Sequence, residues 1–348
     1  MIKNKEHNKK ILFICSPFFG YYKHIISELN NLGYDVDYYN DRPSENSFLK
    51  GGIKLKKELI NNVIDKYFNK LLRETENKKY EKVFIVNGKI FTKEMILKLK
   101  EKNKKSKFLF YTWDSVKLYP NIKEFIHLFD KAYSFDTDDC KEIEKFDFLP
   151  LFYTKAYYNI VNTKSDKVYD IASICTVHPN RYKIIKNLFP YLEKLGIKIF
   201  SYMYINRLQY LYNKLFVNEF KKAKISEFNF SPLSETQILK IISKSNVIFD
   251  IPHSRQSGLT MRTIEALGAR KKIITTNKEI KNYDFFNSNN IFILDEEVLN
   301  KEKFEEIEKF IKCGYQILDE NIYSKYSISY WVNIIINEKN EEYYVNNK

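Results

Sequence analysis

The sequence predicts an α/β protein of two consecutive domains, each an open parallel sheet covered by helices on both faces. Three observations carry this. Short apolar runs alternate with helical patterns along the chain, as strands joined by crossover helices do. The alternation weakens around residues 154–168 and then restarts. The length, 348 residues, is about twice a typical domain of roughly 150 residues.

The elements follow in order. Residues 11–15, Ile-Leu-Phe-Ile-Cys, form an apolar strand that runs into the turn-like segment 16–20. A helix with Ile25, Ile26, Leu29 and Leu32 on its apolar side stops at Gly33. A strand over 34–39 precedes a long amphipathic helix. Leu55, Leu59, Val63, Tyr67 and Leu71 make one face of it, widened by Ile60, Ile64 and Phe68. Next come a strand over 83–86, a helix over 93–102, a strand over 107–113 and a helix over 121–130. A strand over 132–135, a helix over 137–145 and a strand over 148–151 close the first half. In the second half, a strand spans 170–175, a helix spans 180–195 and stops at Gly196, and a strand spans 197–202. Ser234 and Gln237 form a capping-box pattern ahead of Ile238, Ile241 and Ile242. A strand over 246–251, a helix over 260–267 and strands over 272–275 and 291–294 follow, with helices filling the rest. Open sheets of this kind bind ligands outside the carboxyl ends of their strands, at the switch point of the strand order. With two such domains, the expected site is the cleft between them.

Composition narrows the function. Hydrophobic residues at 44% and charged residues at 29% describe an ordinary globular chain. No apolar run approaches the ~18 residues of a membrane span. The polar, basic start carries no apolar signal stretch, so the expected location is cytoplasmic. Cys15, Cys140, Cys175 and Cys313 are scattered without Cys-x-x-Cys pairing, so buried reduced thiols are expected, and no metal site. The net charge of +14 suits nucleic acid, an anionic membrane surface or phosphorylated ligands. The basic residues are mostly dispersed lysines, such as Lys98, Lys100, Lys102, Lys104, Lys105 and Lys107, which a solvated face explains equally well. No RNA-binding, zinc-finger or helix-turn-helix pattern supports nucleic acid. No Gly-x-Gly-x-x-Gly follows either first strand, which argues against a dinucleotide-dependent redox enzyme.

The stretch 247–277 carries the most chemistry. It reads as strand, polar loop, helix, glycine stop and strand. The loop from His253 to Leu259 runs into a helix start near Thr260, where unpaired N–H groups and the helix dipole favour an anion. Gly258 allows close backbone approach. Arg262 can add a charge-assisted bond to a phosphate, and Glu265, three residues on, suits ribose hydroxyls. The plainer alternative is a helix capped by Ser257 or Thr260, with a surface Arg-Glu pair.

The phrase Gln256-Ser257-Gly258-Leu259-Thr260-Met261-Arg262, with Glu265 in Glu-Ala-Leu-Gly, resembles the donor motif of two-domain GT-B glycosyltransferases. The resemblance is to bacterial lipopolysaccharide-core and capsular-polysaccharide enzymes. It implies two tandem Rossmann-like domains facing across a cleft: an acceptor-side domain over 1–158, a nucleotide-sugar domain over 159–325, and a helix and tail over 326–348 returning to the first. It further implies that the loop and helix start hold the donor diphosphate and that Glu265 holds the ribose. The Glu-x7-Glu of retaining relatives is absent, since position 257 is Ser, so inversion is expected. Residues 111–115, 134–139, 148–153 and 174–181 resemble the same group. Arg181 stands near where that group places a glycine-rich turn and a basic residue beneath the donor, but the glycine is missing.

An inverting transferase needs a base for the acceptor hydroxyl. Asp114, after the fourth strand and inside family-like sequence, is preferred. His24, after the first strand, is the second candidate, while His253 is expected to contact the donor. Asp136 and Asp138 could hold a cation under a diphosphate, but in this architecture they are expected to cap the helix that follows. The expected donor is therefore a nucleotide sugar bound without metal or cofactor. The acceptor is a surface glycan or lipid-linked glycan, and peripheral contact with the anionic inner membrane is expected. The alternatives are a non-catalytic sugar-nucleotide-binding protein and a basic nucleic-acid-binding protein.

Overall fold

A computed structural model describes residues 9–43, 57–163, 166–253 and 256–344. Residues 1–8 of the basic start, Leu55, the side chains of Leu59 and Ile60, residues 164–165 of the expected boundary, and Ser254 and Arg255 of the polar loop lie outside the described residues. The chain divides into two compact units. The first is Met1–Pro150 with Arg255–Gly258 and Ile328–Glu342. The second is Leu151–Ser254 with Leu259–Ser327 and Tyr343–Lys348.

The first unit runs β1 (Lys9–Ile14), α1 (Tyr21–Asn31), β2 (Tyr34–Tyr39), α2 (Lys57–Glu74), β3 (Lys82–Val86), α3 (Lys93–Lys102), β4 (Lys107–Thr112), α4 (Ile122–Phe125), β5 (Lys131–Ser134), α5 (Thr137–Glu142) and β6 (Phe146–Phe148). All pairings are parallel, in the order β2-β1-β3-β4-β5-β6. Phe13 of β1 stands opposite Tyr38 and Phe84, which sets the register at the middle of the sheet. Every residue of β3 is buried, the mark of a strand covered on both faces. The helix expected over 121–130 is shorter, because Phe129 is already extended and the Asp130 carboxylate accepts from the Phe108 N–H at 2.7 Å. The helix expected over 137–145 ends at Glu142. Ile143 turns extended there, so the last strand starts at Phe146, ahead of the expected 148–151. On α2 the buried stripe is Phe68, Leu71 and Leu72, and Val63 faces solvent instead of the core.

The second unit runs α6 (Lys155–Asn159), β7 (Tyr169–Thr176), α7 (Pro179–Lys194), β8 (Ile199–Tyr204), α8 (Arg207–Phe216), α9 (Glu235–Ser243), β9 (Ser245–Asp250), α10 (Met261–Gly268), β10 (Lys272–Thr275), β11 (Ile291–Ile293), α11 (Lys301–Lys312) and α12 (Glu320–Ser324). Its five strands are also parallel, in the order β11-β10-β9-β7-β8. The α7 helix ends into Gly196 at φ 81°, a left-handed turn that glycine adopts without a side-chain penalty. The Ser234–Gln237 capping box is present at the start of α9. At Gly268 the backbone passes so close to Tyr153 that a Cβ there would lie 2.4 Å from the tyrosine Cβ and Cγ. The closing helix α13 (Ile328–Ile336) belongs to the first unit. Its Trp331 packs edge-on against Tyr111 at 4.7 Å, and Ser329 donates to Glu28 at 2.8 Å.

Candidate functional site

Strand order locates the crevice in each sheet. In the second unit the chain moves one way from β7 to β8 and the other way from β9 to β10, so the switch point lies between β7 and β9. Arg181, on the first turn of α7, sits at that point. Its Nε donates to the Ile251 carbonyl at 2.6 Å and its Nη1 to the Thr176 carbonyl at 2.8 Å. The guanidinium thus ties the ends of both strands together and keeps further donors of its five. His253, after β9, meets His178, after β7, edge to face at 5.1 Å. Burial, Arg181 and His253 push the His178 imidazole down to about 4, so it is neutral near pH 7. His178 lies in the segment 174–181, and its place three residues before Arg181 is the signal of it that the sequence carries.

The α10 start is built from buried polar groups. Thr260 caps the helix by accepting from the Thr263 N–H at 3.2 Å. Both hydroxyls donate to Asp250, at the end of β9, at 2.5 and 2.8 Å. Leu259 is buried beside them. Arg262 and Glu265 form a pair at 2.7 Å, with Glu265 only 2% exposed. The Tyr157 hydroxyl, brought by α6, hydrogen-bonds to Glu265, and burial together with that carboxylate raises its pKa strongly. Arg262 and Tyr157 thus both engage the Glu265 carboxylate. Tyr157 was invisible to sequence spacing, because it lies far away along the chain.

Gln256, Ser257 and Gly258 belong to the first unit. The Ser257 N–H and hydroxyl donate to the Asp136 carboxylate at 3.0 and 2.6 Å, and the Asp138 N–H donates to the Ser257 oxygen at 3.2 Å. A Cβ on Gly258 would stand 2.5 Å from the Phe135 carbonyl oxygen. Asp136 also caps α5, accepting from the Asp138 N–H at 3.0 Å, and Asp138 pairs with Lys117 at 2.9 Å. The Ser257 N–H that the sequence reading aimed at phosphate therefore meets a carboxylate. Gln256 is half-buried.

In the first unit the switch point lies between β1 and β3. Asn87 and Gly88, just after β3, take positive φ, which aims the following Lys89 back over the sheet end. Lys89 pairs with Asp114 at 2.7 Å and donates to the Tyr119 hydroxyl at 2.9 Å. Burial opposes the Lys89 charge, but Asp114 and Tyr119 outweigh it and hold its pKa above the ordinary value. Asn87 donates to Asp114 at 2.8 Å and accepts from the Trp113 N–H at 3.0 Å. Buried Asp139 accepts from Ser115 and from the Val116 N–H, pinning the loop that carries Asp114. His24 lies half-buried on α1, whose first residue, Tyr21, packs edge-on against Trp113 at 6.5 Å. The sequence reading singled out neither Lys89 nor Asn87. Among the described residues, no three His, Cys, Asp or Glu side chains gather as a metal site, and no helix is long and apolar enough to cross a membrane.

No protein-family model matches the chain, and no curated protein matches its sequence. Solved structures do match, over nearly the whole length. A glycosyltransferase from Rickettsia africae ESF-5 aligns with TM-score 0.51 and 12% identity, covering 96% of this chain and 95% of that one. Acinetobacter baumannii MurG aligns with TM-score 0.52 and 11% identity, covering 94% and 99%. The fold is GT-B. A UDP-GlcNAc 2-epimerase from Neisseria meningitidis, bound to UDP-GlcNAc, aligns with TM-score 0.53 and 10% identity, covering 94% and 99%. At such identities the likeness establishes the GT-B fold, which hosts transfer and epimerisation alike, so activity has to be argued from the residues.

Proposed function

We propose that this GT-B chain is an inverting, metal-independent glycosyltransferase. It moves a sugar from a nucleotide-diphosphate donor to a bacterial surface glycan of the lipopolysaccharide-core or capsular kind. The observation that carries the reading is the second-unit switch point. There Arg181 and His253 stand at the ends of the two strands that flank it, and the capped α10 start follows with Arg262 and Glu265.

In this reading Arg181, His253 and the α10 start with Thr260 and Arg262 neutralise the leaving diphosphate, so no metal or cofactor is required. Glu265 takes the ribose hydroxyls. The segment from Gln256 to Leu259 shapes the approach to the donor, with Gly258 keeping it thin. Asp114 accepts the proton of the acceptor hydroxyl as that oxygen bonds to the sugar C1 and the bond from C1 to the diphosphate breaks. Asn87 and Lys89 orient its carboxylate. His24 is the second candidate for the base. The acceptor is a glycan or lipid-linked glycan, which puts the protein in the cytoplasm against the anionic inner membrane.

The test is release of nucleoside diphosphate from a panel of nucleotide sugars supplied with extracted bacterial glycans. Release should occur with one donor and vanish in Asp114→Asn, while that variant still binds the nucleotide. Release that survives Asp114→Asn removes Asp114 as base. Conversion of the donor sugar to an epimer with no diphosphate released identifies an epimerase, and binding without turnover identifies a binding protein.

A further inference from the structure

Helix α8 is turned the wrong way round for a helix whose partners are all within its own unit. Tyr210 and Asn213 face inward, with Tyr210 packed on Phe228 and Phe230 at 5.3 and 5.9 Å. The outward residues are Leu208, Leu211, Tyr212, Leu215 and Phe216, at 75%, 55%, 58%, 69% and 70% exposure. Their spacing of i, i+3, i+4, i+7 and i+8 is that of a continuous apolar stripe, which normally faces a core. Here it faces water. An apolar stripe left contiguous on a surface marks an interaction site.

Exposed basic residues follow the stripe. Lys221, Lys222 and Lys224 stand on the surface just after the helix, and between Arg207 and Lys224 the one acidic residue is Glu219. Lys214 donates to the Lys221 and Ala223 carbonyls at 2.7 and 2.8 Å, which holds the lysine-bearing loop against the helix. Ile225, 62% exposed, follows in that loop.

We infer that the outward face of α8 is a docking surface for an anionic lipid bilayer. The apolar stripe enters the headgroup boundary, and the basic residues that follow it pair with lipid phosphates. Charge selects this occupant over a second copy of the chain. A two-fold contact would lay the stripe on itself and gather the basic residues of both copies in one interface, against a single Glu219 from each, whereas anionic lipid complements them. The inference gives the membrane contact suggested above a surface. Its test reads lipid binding and not transfer, so it can fail while the transferase reading stands, and the reverse.

The experiment is co-sedimentation of the full chain with phosphatidylcholine vesicles and with vesicles that also contain phosphatidylglycerol. Binding is expected to the second kind and to weaken with salt. Leu211→Asp combined with Leu215→Asp should lower the partition coefficient about tenfold or more, since two apolar anchors are lost. Both leucines are exposed, so the thermal midpoint should stay unchanged and a fall in binding is not a fall in folding. Lys221→Gln with Lys222→Gln should weaken binding by about fivefold per charge. Equal binding by the aspartate variant would overturn the inference. So would absence of vesicle binding, whether the protein sediments as a monomer or as a dimer that Leu215→Asp splits.

Discussion

Replacing Glu265 by alanine tests how the α10 start is held together. The carboxylate lies 2.7 Å from Arg262 and is also bonded by the Tyr157 hydroxyl, and the two charged side chains are only 3% and 16% exposed. Truncation leaves a guanidinium without its counter-charge and a phenol without its acceptor, both shielded from water. Breaking one side of a buried pair costs about 3–5 kcal/mol, of which the orphaned phenol accounts for roughly 1–3. At about 2–4 °C per kcal/mol, the thermal midpoint should fall by roughly 6–20 °C. Glu265→Gln keeps the shape and one acceptor oxygen but loses the charge opposite Arg262, so its cost should be smaller than that of alanine, about 1–2 kcal/mol. Differential scanning calorimetry of the three proteins reads this directly. An alanine variant melting within about 2 °C of the parent would refute the claim that this pair is structural. Glu265→Gln is then the variant in which to measure nucleotide affinity, because its fold is retained.

Gly268→Ala should destabilise by about 1–3 kcal/mol in urea unfolding, despite the helix preference for alanine, because the new methyl meets Tyr153 near its backbone. A stabilised variant would mean that Tyr153 yields freely. His178 should titrate near 4, well below 6.5, when followed by NMR of the ring. Its folded pKa is depressed, so between pH 6.5 and 4 the unfolded state takes up a proton that the folded state refuses. Stability is therefore full above that window and declines as pH falls through it, which urea unfolding at a series of pH values reads. Titration near 6.5 would remove the effect. Thr260→Ala removes the α10 cap and one donor to Asp250, and should cost about 1–2 kcal/mol by urea unfolding. A loss under a few tenths of a kcal/mol would show that Thr263 alone serves Asp250.

Central strands of both sheets were legible because buried parallel strands read as short apolar runs, as in residues 83–86 and 247–249. Element ends were less so. Phe129 and Ile143 carry no residue that forbids helix, and it is the pull of the next strand that ends the helical turns there. At the site, Arg262 and Glu265 were legible as a pair because three residues place them one helical turn apart. The partners that close each constellation come from distant parts of the chain: Tyr157 to Glu265, Lys89 and Asn87 to Asp114, Asp136 to Ser257. No spacing rule reaches them. The α8 stripe has the periodicity of a core-facing helix, and only the structure shows that the face it presents to its own unit is Tyr210 and Asn213.

The most direct test of the central claim is nucleotide-sugar binding. The full chain would be melted in the presence of UDP-, GDP-, CMP- and dTDP-sugars, with and without EDTA. A rise in the thermal midpoint with one nucleotide, unchanged by EDTA and reduced in Arg181→Ala, is the predicted result. A flat response to all four at millimolar concentration would contradict a nucleotide-sugar donor, and a rise lost in EDTA would contradict metal independence.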